Sequence, residues 1–375
     1  MALVLNEEQQ MLKTSAKEFL AENAPVEALR KLRDSNDPKG YDPALWSQMA
    51  ELGFAGIAIP ENHGGLGFGY TGLGQILEET GRNLTASPLI STVVLGASLI
   101  NIAGNEHQKA ALLPAIADGN LLVSVANEES NAHKPFEAET RFRKTSNGYS
   151  ISGTKKFVLE GGSANKFIVS AKKTKTSGLT LFIVDAGAKG VKIERTPMMD
   201  SRNIVTVTFK GAKAAATDIL GAEGEGAAPL EKALDIARIG LSAEMLGSMM
   251  EAYDRTIAYL KERQQFGVPI GVLQGLQHRA ADMYCEIENC KGLVIKSLQA
   301  IDSDSKGLAM YASMTKAKVS QVLKRVTNEA IQMYGGIGMT DDEEIGFFMK
   351  RARVAQRTFG DSNYHLDRFA SLNGF

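Results

Sequence analysis

Apolar positions recur every three to four residues through the first third of the chain. Leu12, Ala16, Phe19 and Leu20 form one such stripe, and Leu45, Met49 and Leu52 another. That spacing places them on one face of a helix. From about residue 119 the period changes. LLVSVAN, FEAETRFR, KKFVLEG, KFIVSAKK, LTLFIVD, GVKIER and IVTVTFK are short runs rich in β-branched and aromatic residues, several of them alternating. Turn residues such as Asn147-Gly148 and Ser177-Gly178 separate them, which predicts a β-barrel or sandwich of roughly 100 residues. After GAEGEGAAP (221–229) the chain turns helical again. Leu230, Leu234, Ala237 and Leu241 form a stripe, and several long helices with short links predict a bundle. The expected fold is α+β and multidomain: helices over 1–118, a β domain over 119–225, and a helical bundle over 226–375.

The glycine-dense loop IPENHGGLGFGYTG (59–72) interrupts the first helices. Its glycines can wrap a ligand, but a plain turn cluster is the reading adopted. A length of 375 residues allows two or three sizeable cores. A net charge of −1 gives no reason to expect nucleic acid or an anionic membrane as main partner. No apolar run reaches the ~18 residues of a membrane span. The opening MALVLNEEQQMLKTSAKEFL lacks the basic and apolar regions of a signal peptide. Cys285 and Cys290 stand five apart, which fits neither a redox pair nor a zinc site and points to a reducing compartment. The expected location is cytoplasmic. The histidines at 63, 107, 133, 278 and 365 lack metal-binding spacing, so no metal is expected.

Two longer stretches carry more. RQQFGVPIGVLQGLQHRAADM (263–283) and IQMYGGIGMTDD (331–342), with the α–β–α order, resemble the acyl-CoA dehydrogenase family over the whole chain. The resemblance implies an FAD enzyme that removes an α-proton and a β-hydride from an acyl-CoA thioester. Electrons would pass to an electron-transferring flavoprotein. The matching residues make physical sense. Arg263 is a permanent cation whose fork suits a pyrophosphate, and Phe266 can pack on the cofactor. Gly335-Gly336 lets backbone approach a phosphate or adenine closely, and Gln332 can hydrogen-bond through both ends of its amide. In the family this half-site serves a neighbouring subunit's FAD, which implies a homo- or hetero-tetramer. Asp235 and Arg238 in LDIAR match positions beside the acyl-CoA cleft. On their own they read as an i,i+3 ion pair on a helix surface.

The chemistry also needs a carboxylate at the substrate α-carbon. Family members carry a glutamate at one of two positions, which here fall on Gly360, in Phe359-Gly360-Asp361-Ser362, and on Ala237. Two acids are candidate substitutes. Asp361 stands one residue late, and can equally cap the helix that follows. Glu244, in SAEMLG, lies two turns after Ala237 on nearly the same helix face. An acid on an apolar face needs a partner or a job, so Glu244 is either a base or half of an ion pair across a helix interface. The ring side has drifted too. In VANEESNAHKP (125–135), Asn127 and Glu128 fall where the family has Thr-Glu of a Thr-Glu-Pro segment, and the proline is missing. At the family's Trp-Ile-Thr segment against the flavin, Phe157 keeps an aromatic face but Leu159 has no hydroxyl to donate.

These losses share a direction. Residues that embrace a neighbour's FAD are kept, while those that hold the chain's own flavin ring and base are eroded. The chain thus resembles the small subunit of heteromeric bacterial acyl-CoA dehydrogenases of the pimeloyl-CoA and steroid side-chain types. The alternatives are a self-sufficient homo-oligomer using Glu244 or Asp361, a non-catalytic scaffold completing a partner's FAD site, and a flavin oxidase with an aspartate base.

Overall fold

A computed structural model describes residues 3–375. In chain order the helices are α1 (Glu7–Asn23), α2 (Val26–Ser35), α3 (Pro43–Glu51), α4 (Tyr70–Arg82), α5 (Ser98–Ala103) and α6 (Glu106–Ala117). The strands β1 (Val123–Ala126), β2 (Arg141–Thr145), β3 (Gly148–Leu159), β4 (Lys166–Lys172), β5 (Leu179–Asp185), β6 (Val191–Thr196), β7 (Ile204–Ala214) and β8 (Ile219–Leu220) follow. Next come α7 (Ala227–Glu262), a hairpin of β9 (Gln264–Gln265) and β10 (Val268–Pro269), then α8 (Gln274–Asp302), α9 (Leu308–Tyr334), α10 (Ile345–Arg357) and α11 (Ser362–Leu372). Helical ends around a β-rich middle match the expected architecture. Among the described residues no helix is long and apolar enough to cross a membrane.

The chain divides into two compact units that interleave in sequence. One contains Leu32–Gly69 and Ala86–Ala237. The other contains the described residues up to Lys31, with Tyr70–Thr85 and Arg238–Phe375.

In the first unit, Asp42 caps α3 through the Ala44 amide and Pro43 opens that helix. Asn105 and Gln108 form a reciprocal capping box on α6. Between α4 and α5, Leu89–Ala97 forms a π-helix whose nine residues are all buried. Thr92 ties it to β1 by exchanging hydrogen bonds with the Val123 amide and carbonyl at 3.1 Å. The loop after Ile59 is a self-packed turn cluster. Leu66, Gly67 and Phe68 amides donate to the Gly56, Ile59 and Ile57 carbonyls. A Cβ on Gly65 would overlap the Ile59 carbonyl, so glycine there allows the turn's own backbone to close on itself.

The eight strands make one sheet in the order β6-β7-β3-β2-β4-β5-β8, with β1 added in parallel to β4. Phe167 of β4 meets Phe209 of β7 at a ring distance of 6.3 Å. Those strands are not neighbours in the sheet, so it curls over one aromatic core rather than stacking as two separate sheets. One expected strand is shorter than its sequence suggests. FEAETRFR yields β2 only from Arg141, because the Glu139 and Thr140 amides donate to the Glu129 carboxylate instead of to a strand.

In the second unit α9 packs against α8, α10 and α11, a bundle as the apolar stripes predict. Asn6 and Gln9 form the capping box of α1, and Lys13 of α1 pairs with Glu78 of α4 at 2.5 Å. The α4–α7 crossing is backbone against backbone. A Cβ on Gly81 would overlap the Glu244 carbonyl, and one on Gly247 would overlap the Glu78 carbonyl. Overpacking of this kind typically costs ~1–3 kcal/mol. Gly247→Ala is therefore expected to lower the thermal midpoint by several degrees. An unchanged midpoint would show that the two helices can separate freely.

Candidate active site

The first predicted position is bracketed by two tyrosines. Tyr259 of α7 stacks on Tyr334 of α9 at 4.2 Å and 12°. The Tyr259 hydroxyl donates to the Tyr334 carbonyl at 3.3 Å, and the Tyr334 hydroxyl to the Arg255 carbonyl at 3.2 Å. This clamp holds the ends of α7 and α9 side by side, and with them Arg263 and Gly335-Gly336. Beyond Arg263 the β9–β10 hairpin turns on Phe266-Gly267, with φ of +55° and +79°. Two successive left-handed residues define a primed hairpin turn, which normally takes asparagine or glycine. Phe266 instead places a 91% exposed ring at the tip. Gln332, Gly335 and Gly336 are exposed as well. Gly335 has φ +68°, and a Cβ on either glycine would meet nothing within 4 Å. The five predicted residues therefore leave an open, exposed surface with a cation, an aromatic ring and bare backbone.

The second predicted position is the turn between α10 and α11. Phe359 and Gly360 have φ of +60° and +103°. The Phe359 carbonyl accepts from Arg238 Nε at 3.2 Å and from His365 Nε2 at 3.0 Å. That contact places the His365 proton on Nε2. The Gly360 carbonyl accepts from Lys316 Nζ at 3.0 Å. Arg238, Lys316 and His365 are all fully buried. Asp361 caps α11, accepting from the Tyr364 amide at 3.0 Å, and pairs with Arg357 at 3.2 Å. Glu244 is only 6% exposed. Its Oε1 accepts from Arg351 Nε at 2.8 Å and lies 2.7 Å from Arg351 Nη2. Of the two arrangements open to Glu244, the structure displays the ion pair across helices α7 and α10. Asp235 and Arg238 are both buried, so they are no surface ion pair.

The third position lies in the β-rich unit. A β-bulge interrupts the β3–β7 ladder between Lys155 and Val158. Phe157 sits inside it with φ +52° and is 37% exposed. Bulges of this kind re-aim side chains near active sites. Leu159 closes the strand opposite Ile204. The three phenylalanines in left-handed backbone, Phe157, Phe266 and Phe359, each occupy a sequence-predicted site. Such conformations cost ~1–3 kcal/mol each and cluster where function constrains the chain.

Four residues of these sites were missed. Lys316 and Arg351 are two. Glu129 and Lys155 form the third and fourth, an ion pair at 2.6 Å with Lys155 fully buried. Lys155 Nζ also donates to Ser170 Oγ at 2.9 Å and to the Asn127 carbonyl at 3.4 Å. Burial opposes charge on Glu129, but Lys155 and the hydrogen bonds from Thr140 outweigh it and hold the carboxyl below its usual value. Burial pulls Lys155 down, and Glu129 offsets this only in part. Glu128 does a separate job, meeting His133 Nδ1 at 2.6 Å. The alternation of β3 carried a signal for Lys155, which shares the inward phase of Tyr149 and Ile151. Among the described residues no cluster is placed to hold a metal.

Helical ends surround a curled sheet, with an exposed Arg263, Phe266, Gly335 and Gly336 surface and an aromatic presented at a bulge. Comparison with known proteins identifies the class. The chain matches the acyl-CoA dehydrogenase N-terminal domain over residues 6–120, the middle domain over 127–212 and the C-terminal domain over 224–371. It is 31% identical to the mitochondrial isovaleryl-CoA dehydrogenase of Pongo abelii, over 96% of this chain and 86% of that protein. A solved variant of the Tcur3481-Tcur3483 steroid ACAD superposes with a TM-score of 0.88 at 31% identity, covering 98% of both chains. Butyryl-CoA dehydrogenase from Megasphaera elsdenii gives 0.92 at 28% identity over the full length of both. The chain belongs to the acyl-CoA dehydrogenase family. It is an oxidoreductase acting on acyl-CoA, and FAD is the family's cofactor.

The residues present fit part of that cofactor. Arg263, Phe266, Gln332, Gly335 and Gly336 offer a cation for a pyrophosphate and open backbone for close approach. Phe157 offers a ring face, whereas Leu159 offers no hydrogen bond.

Proposed function

We propose that this chain is one subunit of a heteromeric, FAD-dependent acyl-CoA dehydrogenase. The complex oxidises an acyl-CoA thioester to the enoyl-CoA and delivers electrons to an electron-transferring flavoprotein. In this reading a second acyl-CoA dehydrogenase chain supplies the carboxylate base and the ring pocket. Arg263, Phe266, Gln332, Gly335 and Gly336 of this chain complete the outer part of each FAD site, in a cytoplasmic α2β2 assembly. Asp235 and Arg238 line the acyl-CoA side. Residues 1–118, 119–225 and 226–375 serve as its three domains.

The carrying observation is the state of the base positions. Ala237 and Gly360 hold no acid, and the substitutes are engaged elsewhere, Glu244 with Arg351 and Asp361 with the α11 cap. Gly360 lies at φ +103°, a backbone that disfavours any side chain. The relationship to the Tcur3481-Tcur3483 steroid ACAD, whose name pairs two designations, supports the mixed pair.

The test is flavin content and turnover with and without co-expressed acyl-CoA dehydrogenase partners. The chain alone is expected to hold little FAD and to show no acyl-CoA-dependent bleaching of the flavin, and both are expected to return with the partner. Gly360→Glu in the lone chain is expected not to create activity, because the left-handed backbone cannot aim the new carboxylate. Full FAD occupancy with normal turnover by the chain alone would overturn the proposal.

A further inference from the structure

Lys316 is a charged side chain with no role in the reading above. It lies on α9, fully buried, and its Nζ is surrounded by oxygen. It donates to the Ala355 carbonyl at 3.1 Å, Gln356 at 3.2 Å and Gly360 at 3.0 Å, with Ser320 Oγ at 3.3 Å. Ala355 and Gln356 belong to the last turn of α10, whose carbonyls have no partner within the helix. One ammonium thus joins the end of α10 to the turn that follows it. The next carbonyl along, that of Phe359, is the one held by Arg238 Nε and His365 Nε2.

We propose that Lys316 is a positioning residue: its ammonium fixes the Phe359–Gly360 turn, and that turn fixes the Arg238 guanidinium on the acyl-CoA side. The second half of this statement rests on the binding role given to Arg238 above. The turn is poorly held by local preference alone, since Phe359 and Gly360 both have positive φ. Something outside the turn must determine it, and the buried donors of α7, α9 and α11 are what the structure provides. Arg238 is constrained on its other side by Tyr364, whose ring centre is 5.8 Å from the guanidinium carbon. A shift of the Phe359 carbonyl therefore moves Arg238 relative to α7.

The clamp depends on the proton. A lysine ammonium has three donors and no acceptor. A neutral amine has two donors and a lone pair, which here would face carbonyl oxygen. The charged groups around Nζ divide unequally. Arg238 of α7 and Arg351 of α10 oppose its charge, and Asp361 before α11 favours it, while Glu244 is committed to Arg351. Burial is the larger influence, and Lys316 is lowered to about 7 from 10.5. Folding thus releases a proton between pH 7 and 10.5, so global stability gains from Lys316 as pH rises across that window. The turn behaves oppositely where it opens with Lys316 still buried: the ammonium then loses its carbonyl acceptors without gaining water, so this local opening is favoured as the ammonium is lost.

Amide hydrogen exchange of the peptide spanning 357–365, read by mass spectrometry at pH 6 and pH 8.5 on the intact protein, tests this. After correction for intrinsic rates, exchange in that peptide is expected to rise about tenfold at the higher pH relative to β4–β5 peptides. Lys316→Met is expected to exchange fast at both values, and Lys316→Arg, a permanent cation, slowly at both. A wild-type peptide with no pH step, or the same step kept in either variant that folds, would overturn the clamp. In the flavin-loaded complex, the acyl-CoA dissociation constant is expected to rise with pH over the same range, and to lose that dependence in the variants. A clamp that titrates while acyl-CoA affinity does not would overturn the link to Arg238. Flavin content, measured separately, reports on the mixed-pair proposal and is expected to stay unchanged in these variants.

Discussion

Glu244→Gln is expected to destabilise the protein by about 3–5 kcal/mol, the usual cost of removing one partner from a buried ion pair. It is expected to leave flavin reduction per folded, flavin-loaded complex unchanged. Arg351 Nε and Nη2 both meet Glu244 Oε1, and the acid's side chain is almost wholly enclosed. Removing the carboxylate takes from Arg351, itself at 12% side-chain exposure, the acid that stands 2.7 Å from its Nη2. Glutamine keeps the shape and one acceptor, so the loss measures charge rather than packing. Adding Arg351→Met should recover much of the loss, because a matched apolar pair often replaces a buried ion pair at little cost. Urea unfolding of the two single variants and the double variant gives the coupling, and stopped-flow flavin bleaching gives the chemistry. A well-folded Glu244→Gln complex that no longer bleaches would make Glu244 the base after all.

The second large effect is expected at Glu129. Its carboxylate takes Lys155 Nζ and the Glu139 and Thr140 amides, so it fastens the segment after β1 to β3. Glu129→Gln strands the fully buried Lys155 and should cost about 3–5 kcal/mol. Acid should mimic the change. Because the folded carboxyl is held below its ordinary value, its contribution is complete above the unfolded value of ~4.3 and disappears as pH falls through the folded one. Wild-type stability should therefore fall steeply on acidification below about pH 4.3, with a shallower fall in Glu129→Gln. Parallel slopes in the two proteins would show that Glu129 does not carry this dependence.

The helical and β periods were legible, because burying one face imposes a repeat of 3.6 or 2 on the residues that do it. The residues of the proposed half-site stood out for another reason: an exposed arginine and a paired glycine, Arg263 and Gly335-Gly336, are not what a packing pattern alone would produce. What escaped depended on tertiary partners. FEAETRFR has strand composition, but Glu129 captures two of its amides. LISTVVLGA is apolar throughout, so nothing in it distinguishes a π-helix from any other buried segment. The left-handed backbone of Phe157, Phe266 and Phe359 runs against residue preference, which points to glycine or asparagine. Lys316 looked like one more lysine on a helix, and three of its acceptors, the Ala355, Gln356 and Gly360 carbonyls, lie some forty residues away in sequence. The grouping of 70–85 with 238–375 is set by contacts between distant segments, which no local pattern encodes.

The α4–α7 crossing bears on how this protein can change over generations. Where side chains separate two helices, a lineage can reshape a neighbouring pocket by exchanging large residues for small ones in compensating pairs. Gly81 and Gly247 leave nothing to exchange, since each faces the other helix's carbonyl directly. A mutation at either position has no single-step compensation on the opposite helix. New acyl specificity is therefore expected to arise through other parts of the chain, with this crossing as an inherited fixed point.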